Sequence, residues 1–416
     1  MQTKCSVILV FLCFLVSLPC SLLGQRISYG FHLTGSKKPI GIPFKLVSNL
    51  IIIPVQINDQ DTLQFVLDSG VGFTLLIDPS KKDVCTDVFG RGMVIDGLGR
   101  EKASNANISL GNKLVIGNVQ VFNHSVVVFE DNLLELSEVI GTSVHGLIGY
   151  ELLERFVITV DFKARKLFFQ QPEKYVYKKS KGKKVPIAII NNKSYVDSVR
   201  VKEKDKVRYL RLMIDTGAGH ALILNPESTH IPIPDKTIHI PLGVGLAGEV
   251  NGFLGRLDEV SFNGIQFFDV LSSFPDSLSY GSKISLRGSP YGNIGGELLR
   301  RFKVTFNYPE RYVIFQPVRS LLKEPFEHNM SGMDLRAAGP DYQTIFINTV
   351  AENSPAFKAG LRTGDEVLFV NNVSVKTSGL NELYKVLQRR KGKEITVIVR
   401  RKKELISSRF ILKSVI

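Results

Sequence analysis

The chain has 416 residues, 44% hydrophobic and 22% charged, which excludes intrinsic disorder as its main state and leaves room for two or three domains with their own cores. Its 35 glycines and the absence of Trp suit a β-rich fold with many tight turns. Much of the formal net charge of +14 comes from clusters such as Lys178-Lys-Ser-Lys-Gly-Lys-Lys184, with no aromatic residues interleaved for base stacking, so nucleic acid is not an expected partner.

In chain order, residues 1–24 read first, as an export signal. Lys4 gives a positive start, residues 7–18 are an almost unbroken apolar run, and small residues precede a cleavage point near Gly24. The run is short for a membrane span, and no later segment reaches about 18 consecutive apolar residues, so no transmembrane segment is expected after signal removal. The expected location is periplasmic or secreted; an uncleaved anchor or a lipid on Cys20 are the alternatives. Three of the four cysteines fall in this segment, which leaves Cys85 alone and no internal disulfide.

Runs rich in Val, Ile and Phe, bounded by Gly, Asn or Asp, predict strands over residues 51–57, 113–121 and 125–129. The segment Phe65-Val-Leu-Asp-Ser-Gly-Val-Gly-Phe-Thr-Leu-Leu-Ile77 then recurs as Leu212-Met-Ile-Asp-Thr-Gly-Ala-Gly-His-Ala-Leu-Ile-Leu224. Gly146-Leu-Ile-Gly-Tyr-Glu-Leu-Leu-Glu-Arg-Phe156 recurs as Gly292-Asn-Ile-Gly-Gly-Glu-Leu-Leu-Arg-Arg-Phe302, and each predicts a short helix, over 150–155 and 296–301. Asp68 precedes Gly149 by 81 positions and Asp215 precedes Gly295 by 80, a register that marks an internal duplication. The lobes span 40–172 and 185–318, joined by a Lys-rich linker over 173–184.

An Asp closing a buried apolar strand is costly unless a partner or a task accounts for it. The two Asp-[Ser/Thr]-Gly turns resemble the active-site loops of aspartic proteases of the retropepsin and pepsin type. That resemblance implies a mainly β fold of two homologous β-barrel lobes around a pseudo-two-fold cleft. It also implies a peptide-bond hydrolase that acts on polypeptides as a monomer, with Asp68 and Asp215 as the catalytic dyad. By the same resemblance Ser69 and Thr216 hydrogen-bond across the lobe interface, while Gly70 and Gly217 let the backbone approach the carboxylates. Asp96-Gly-Leu-Gly-Arg100 and Gly243-Val-Gly-Leu-Ala-Gly248 each lie about 29 positions after their Asp. They read as glycine-rich flaps carrying Gly97, Gly99, Gly245 and Gly248. The second also matches a dinucleotide-binding pattern, but no helix follows it and no βαβ unit surrounds it. Val71, where the family has a small residue, and Asn293, where it has an apolar one, depart from the pattern. The seven His residues show no metal-ligand spacing, so no metal or cofactor is expected, and His220 reads as a packing residue.

After Pro325 the character changes. Asn353-Ser-Pro-Ala-Phe-Lys-Ala-Gly-Leu-Arg-Thr-Gly-Asp-Glu-Val-Leu-Phe-Val-Asn371 resembles the signature stretch of PDZ domains, which implies an α+β module over 325–416. Such modules capture a peptide's C-terminal carboxylate with a glycine-containing loop. Ser331, Gly332, Met333, Asp334 and Leu335 stand where that loop is expected. The whole resembles bacterial exported aspartyl proteases carrying a PDZ domain. From another functional class, the alternative is a catalytically inactive exported scaffold whose cleft and PDZ domain only bind peptides.

Overall fold

Leu50–Ile57, Leu-Ile-Ile-Ile-Pro-Val-Gln-Ile, is buried along almost its whole length, and a strand covered on both faces carries a continuous apolar run in place of an alternating one. It lies inside the first of four sheets in the computed structural model, which describes residues 30–35, 40–95, 104–130, 135–246, 248–280, 291–388, 391–414 and 416. The chain is mainly β, and its helices are short. The expected export signal lies outside the described residues, and among them no helix is long and apolar enough to cross a membrane.

The repeat in sequence is a repeat in topology. In the first lobe Gly146–Ile148 runs parallel to Thr62–Leu67, with Ile148 opposite Leu67, and antiparallel to Leu75–Leu76. In the second, Gly292–Ile294 runs parallel to Lys206–Ile214, with Ile294 opposite Ile214, and antiparallel to Leu222–Leu224. Each short strand thus slots between the two arms of the turn that follows an Asp. Both lobes also project a tight turn with two left-handed residues, Ser48-Asn49 (φ 49° and 64°) and Asn191-Asn192 (φ 49° and 64°). Asn49 Nδ2 donates to Gly219 O at 2.9 Å across the interface, and from the other side Asn192 packs against Gly72.

A six-stranded sheet joins the lobes, in the order Lys183–Pro186, Tyr312–Pro317, Phe302–Asn307, Val157–Asp161, Lys166–Gln170, Gly41–Pro43. At its centre Thr159 faces Thr305, and their hydroxyls lie 2.9 Å apart. These residues are mates under the repeat, and a residue paired with its own mate marks a local two-fold axis. The Lys303–Asp161 ion pair crosses the same seam. One apolar cluster runs through both lobes and includes Phe156, Phe169, Phe302, Phe306 and Phe315. Burying each such side chain contributes about 1.5–3 kcal/mol, so the halves share one cooperative core. The Lys-rich connector ends in Lys183–Pro186, an edge strand of this sheet with Lys184 over the Tyr312 ring at 3.7 Å.

One strand expectation needs correction. Residues 113–121 are not a single strand: Ser104–Ile116 turns at Gly117 (φ 58°) and Asn118 into Val119–Phe129. The apolar run Leu114–Ile116 and Val119–Val121 hides a two-residue hairpin turn, which a Gly-Asn pair permits.

The C-terminal module has its own core, with Leu335, Ile345, Ile347, Val367, Leu383 and Val397 among its buried residues. Ser354 caps the short helix Pro355–Lys358 by accepting from the Phe357 N–H. Helix Val375–Leu387 packs against the sheet formed by Met333–Ala338, Thr344–Val350, Glu366–Val370, Glu394–Arg401 and Glu404–Ile411. Arg301 ties this module's connector to the second lobe. Fully buried, it pairs with Glu297, donates to the carbonyls of Leu321 and Glu324, and lies 3.8 Å from the Phe326 ring.

Candidate active site

Thr62–Leu67 and Lys206–Ile214 end in buried residues at the lobe interface, each in a sharp turn, and so bring Asp68 and Asp215 together. The carboxylates stand side by side: a Cβ at Gly70 would lie 3.0 Å from Asp68 Oδ1 and 3.3 Å from Asp215 Oδ1. The Gly70 N–H donates to Asp68 Oδ1 at 2.7 Å, and the Gly217 N–H donates to Asp215 Oδ1 at 2.9 Å. Glycine is required at 217 because a Cβ there would lie 2.2 Å from Asp68 Cγ. Gly149 is constrained in the same way, since its Cβ would meet Asp68 O at 1.8 Å.

The turns are locked by a reciprocal exchange. Ser69 N–H donates to Thr216 Oγ1 and Thr216 N–H to Ser69 Oγ, both at 3.0 Å. Ser69 Oγ then donates to Ile214 O, and Thr216 Oγ1 to Leu67 O, both at 2.7 Å. All these groups are buried, so the exchange satisfies backbone atoms that no sheet ladder reaches.

The pair is symmetric in backbone but not in environment. Asn293, buried in the second lobe, donates from Nδ2 to Asp215 Oδ2 at 2.6 Å. The position is Leu147 in the first lobe, which has nothing to donate. Burial raises both carboxylates above their ordinary range. Asp68 is pushed up to about 8, by desolvation first and the Asp215 charge second, with the Gly70 N–H opposing. For Asp215 the Asn293 and Gly217 donors oppose desolvation. Two coupled acids in unequal surroundings titrate as a pair, and the Asn293 donation favours the charge on Asp215 and the proton on Asp68. Asn293 was legible in sequence only as a polar residue in an apolar strand position, without its role. Lys193, whose positive charge opposes both upward shifts, carried no signal.

The dyad opens into a cavity of about 1870 Å³. Two β-hairpins stand in equivalent positions, Val88–Ile95 with Ser104–Ile116 and Thr237–Gly245 with Gly248–Phe262. Gly245 pairs with Gly248 at the tip of the second, and Val244, Gly245 and Leu246 line the cavity. Gly97 and Gly99 lie outside the described residues. The nucleotide-like glycine pattern therefore belongs to an antiparallel hairpin, not to a strand-to-helix turn. Val71 is buried with Leu75, Leu147 and Ile140 in an apolar cluster beside the cavity. His220 donates to or accepts from Ser273 Oγ at 2.6 Å, and burial lowers its affinity for a second proton.

In the C-terminal module the expected capture loop is turned inward. Ser331 is buried; its N–H donates to Asn329 Oδ1 at 3.0 Å, and its Oγ accepts from the Met333 N–H at 3.1 Å. Gly332 has φ 82°, and a Cβ there would strike Ser354 Cβ at 2.2 Å. Asp334 accepts from Asn348, and the Leu335 N–H donates to Tyr384 Oη at 2.9 Å.

Residues 346–401 match the PDZ domain family, and the chain carries a PDZ domain there, a fold that recognises peptides. Over 72 residues, 17% of the chain, it is 40% identical to mouse tight junction protein 1, and over 95 residues, 22% of the chain, 32% identical to mouse Rho GTPase-activating protein 21. The chain spans only 4% and 5% of the lengths of those relatives. A photosystem II D1 C-terminal processing protease aligns over 22% of this chain and 25% of its own, at 20% identity and a TM-score of 0.20.

Proposed function

We propose that the chain is an aspartic-type endopeptidase whose two retropepsin-like lobes form one catalytic cleft. The observation that carries this reading is the pair Asp68 and Asp215, set side by side at a local two-fold axis, held by the reciprocal Ser69–Thr216 exchange and both raised in pKa by burial. In this reading ionised Asp215 draws a proton from a water that attacks the scissile carbonyl carbon. Protonated Asp68 gives its proton to the carbonyl oxygen, so charge never accumulates there. Collapse of the tetrahedral adduct breaks the C–N bond as the amine takes up the proton held by Asp215 and the hydroxyl returns its own to Asp68. The Gly217 and Asn293 donors keep the charge where the water must be activated.

The hairpin tip at Val244–Leu246 overhangs the cavity and suits a cover that grips an extended peptide and excludes water. Export to a periplasm or beyond remains part of the proposal, with polypeptides as substrates and the PDZ domain as a second point of peptide recognition. The test is turnover of an unbiased peptide library between pH 3 and 8. Cleavage at defined bonds supports the reading, and silence at every pH, with and without added C-terminal peptides, transfers the cleft to the inactive-scaffold alternative.

A further inference from the structure

We infer that the peptide groove of the PDZ domain is held shut from within the chain, by Tyr384 and by residues 136–141 of the first lobe, so that an incoming peptide with a free C-terminus competes with the protein's own cleft wall. This goes beyond the proteolytic reading and does not rest on it.

A PDZ ligand adds a strand beside one sheet edge, under one helix. The edge strand here is Met333–Ala338, which among the described residues pairs on one side only, with Thr344–Val350. On its open side Tyr384 from helix Val375–Leu387 sits between strand and helix, its hydroxyl accepting from the Leu335 N–H at 2.9 Å and lying 3.2 Å from the Leu335 carbonyl. Those are backbone groups that an added peptide strand would need. The Ser331 and Met333 N–H groups at the capture loop are likewise engaged internally.

The first lobe supplies the second closure. Its short helix Leu136–Ile140 packs on Met333–Ala338. Gly141, which ends that helix at φ 71°, sits so near the groove helix that a Cβ would lie 2.5 Å from Leu380 Cβ. The same segment reaches the catalytic side. Leu136, Val139 and Ile140 share an apolar cluster with Val244 and Leu246 of the second-lobe hairpin and line the cavity that holds the dyad. Arg336 on the edge strand points to Glu249 of that hairpin at 3.6 Å. Displacing residues 136–141 from the groove therefore moves a wall of the cleft, and by linkage anything that braces that wall weakens peptide binding.

The experiment uses the full chain carrying Asp68→Asn, so that no peptide is cut. The probe is a pool of fluorescein-labelled decapeptides randomised in the last four positions with a free carboxylate, and an amidated pool is the control. Binding is read by fluorescence polarisation for this chain and for added Tyr384→Phe or Gly141→Ala. Each change is expected to tighten the carboxylate pool about tenfold and leave the amidated pool unaffected. Peptide binding to the parent is expected to speed hydrogen exchange at residues 135–142. Equal affinity in parent and both variants, tight or absent, overturns the inference, as does unchanged exchange at that segment in the peptide-saturated parent. Should Tyr384→Phe fail to fold, Gly141→Ala decides, because the substituted residue lies in the first lobe and the PDZ sequence is unchanged.

Discussion

Replacing Asn293 with Leu separates the asymmetric charge placement from the rest of the site. Leu147 occupies the equivalent strand position in the first lobe, so Leu suits the local backbone and the variant is expected to fold. What it removes is the 2.6 Å donation to Asp215 Oδ2. A hydrogen bond to a charged group contributes about 1.5–3 kcal/mol, and each pKa unit corresponds to about 1.4 kcal/mol. The donor favours ionised Asp215, so its loss raises the pH at which the pair takes up its second proton, by about one to two units. In a profile of kcat/KM against pH the acidic limb therefore moves upward by that amount. The alkaline limb, set by loss of the last proton from Asp68 near about 8, stays close to its place. Initial rates on a cleaved library peptide, with folding checked by circular dichroism, measure both limbs. An acidic limb that does not move in a folded variant refutes the assignment of charge to Asp215.

Three further outcomes follow from the same contacts. Ser69→Ala leaves the Thr216 N–H and Ile214 O without their buried partner and costs about 1–3 kcal/mol, read as a lowered denaturation midpoint with activity falling further than stability. Asp68→Asn should stabilise the fold at alkaline pH. Asp68 is raised from 3.8 to about 8 in the folded state, so the stability it contributes is complete below 3.8 and lost progressively as pH rises through 8. Thermal melts should show the variant's advantage growing from pH 5 to pH 9, and a constant difference contradicts the raised pKa. Arg301→Met leaves the carbonyls of Glu297, Leu321, Glu324 and Pro325 without this buried donor while Glu297 keeps Arg300, costing about 1–3 kcal/mol, and should open residues 319–326 to limited proteolysis before the lobes unfold.

What was legible in the sequence was local chemistry repeated at a fixed interval. The two Asp-containing turns, the strands leading into them and the short helices Tyr150–Leu153 and Gly296–Leu299 all follow from apolar runs broken by glycine. The glycine-rich segment 243–248 marked the tip of the hairpin Thr237–Gly245 with Gly248–Phe262, while its counterpart 96–100 lies outside the described residues. The joining sheet was not legible, because Gly41–Pro43 and Lys183–Pro186 are short edge strands whose partners lie more than a hundred residues away. Nor could spacing show that Asn293 donates to Asp215, or that residues 136–141 sit on Met333–Ala338. Both depend on how finished elements pack, and a polar residue in a strand reads as a blemish until its partner is seen. The Gly117-Asn118 turn was lost between two apolar stretches that read as one.

The most direct measurement is kcat/KM on the best-cleaved library peptide for the native chain beside Asp68→Asn and Asp215→Asn, each shown folded by circular dichroism. Acid–base catalysis of this kind contributes about 10²–10⁴-fold, so each variant should lose at least that much while still binding the peptide. Either folded variant retaining native turnover would contradict the shared-proton dyad at its root.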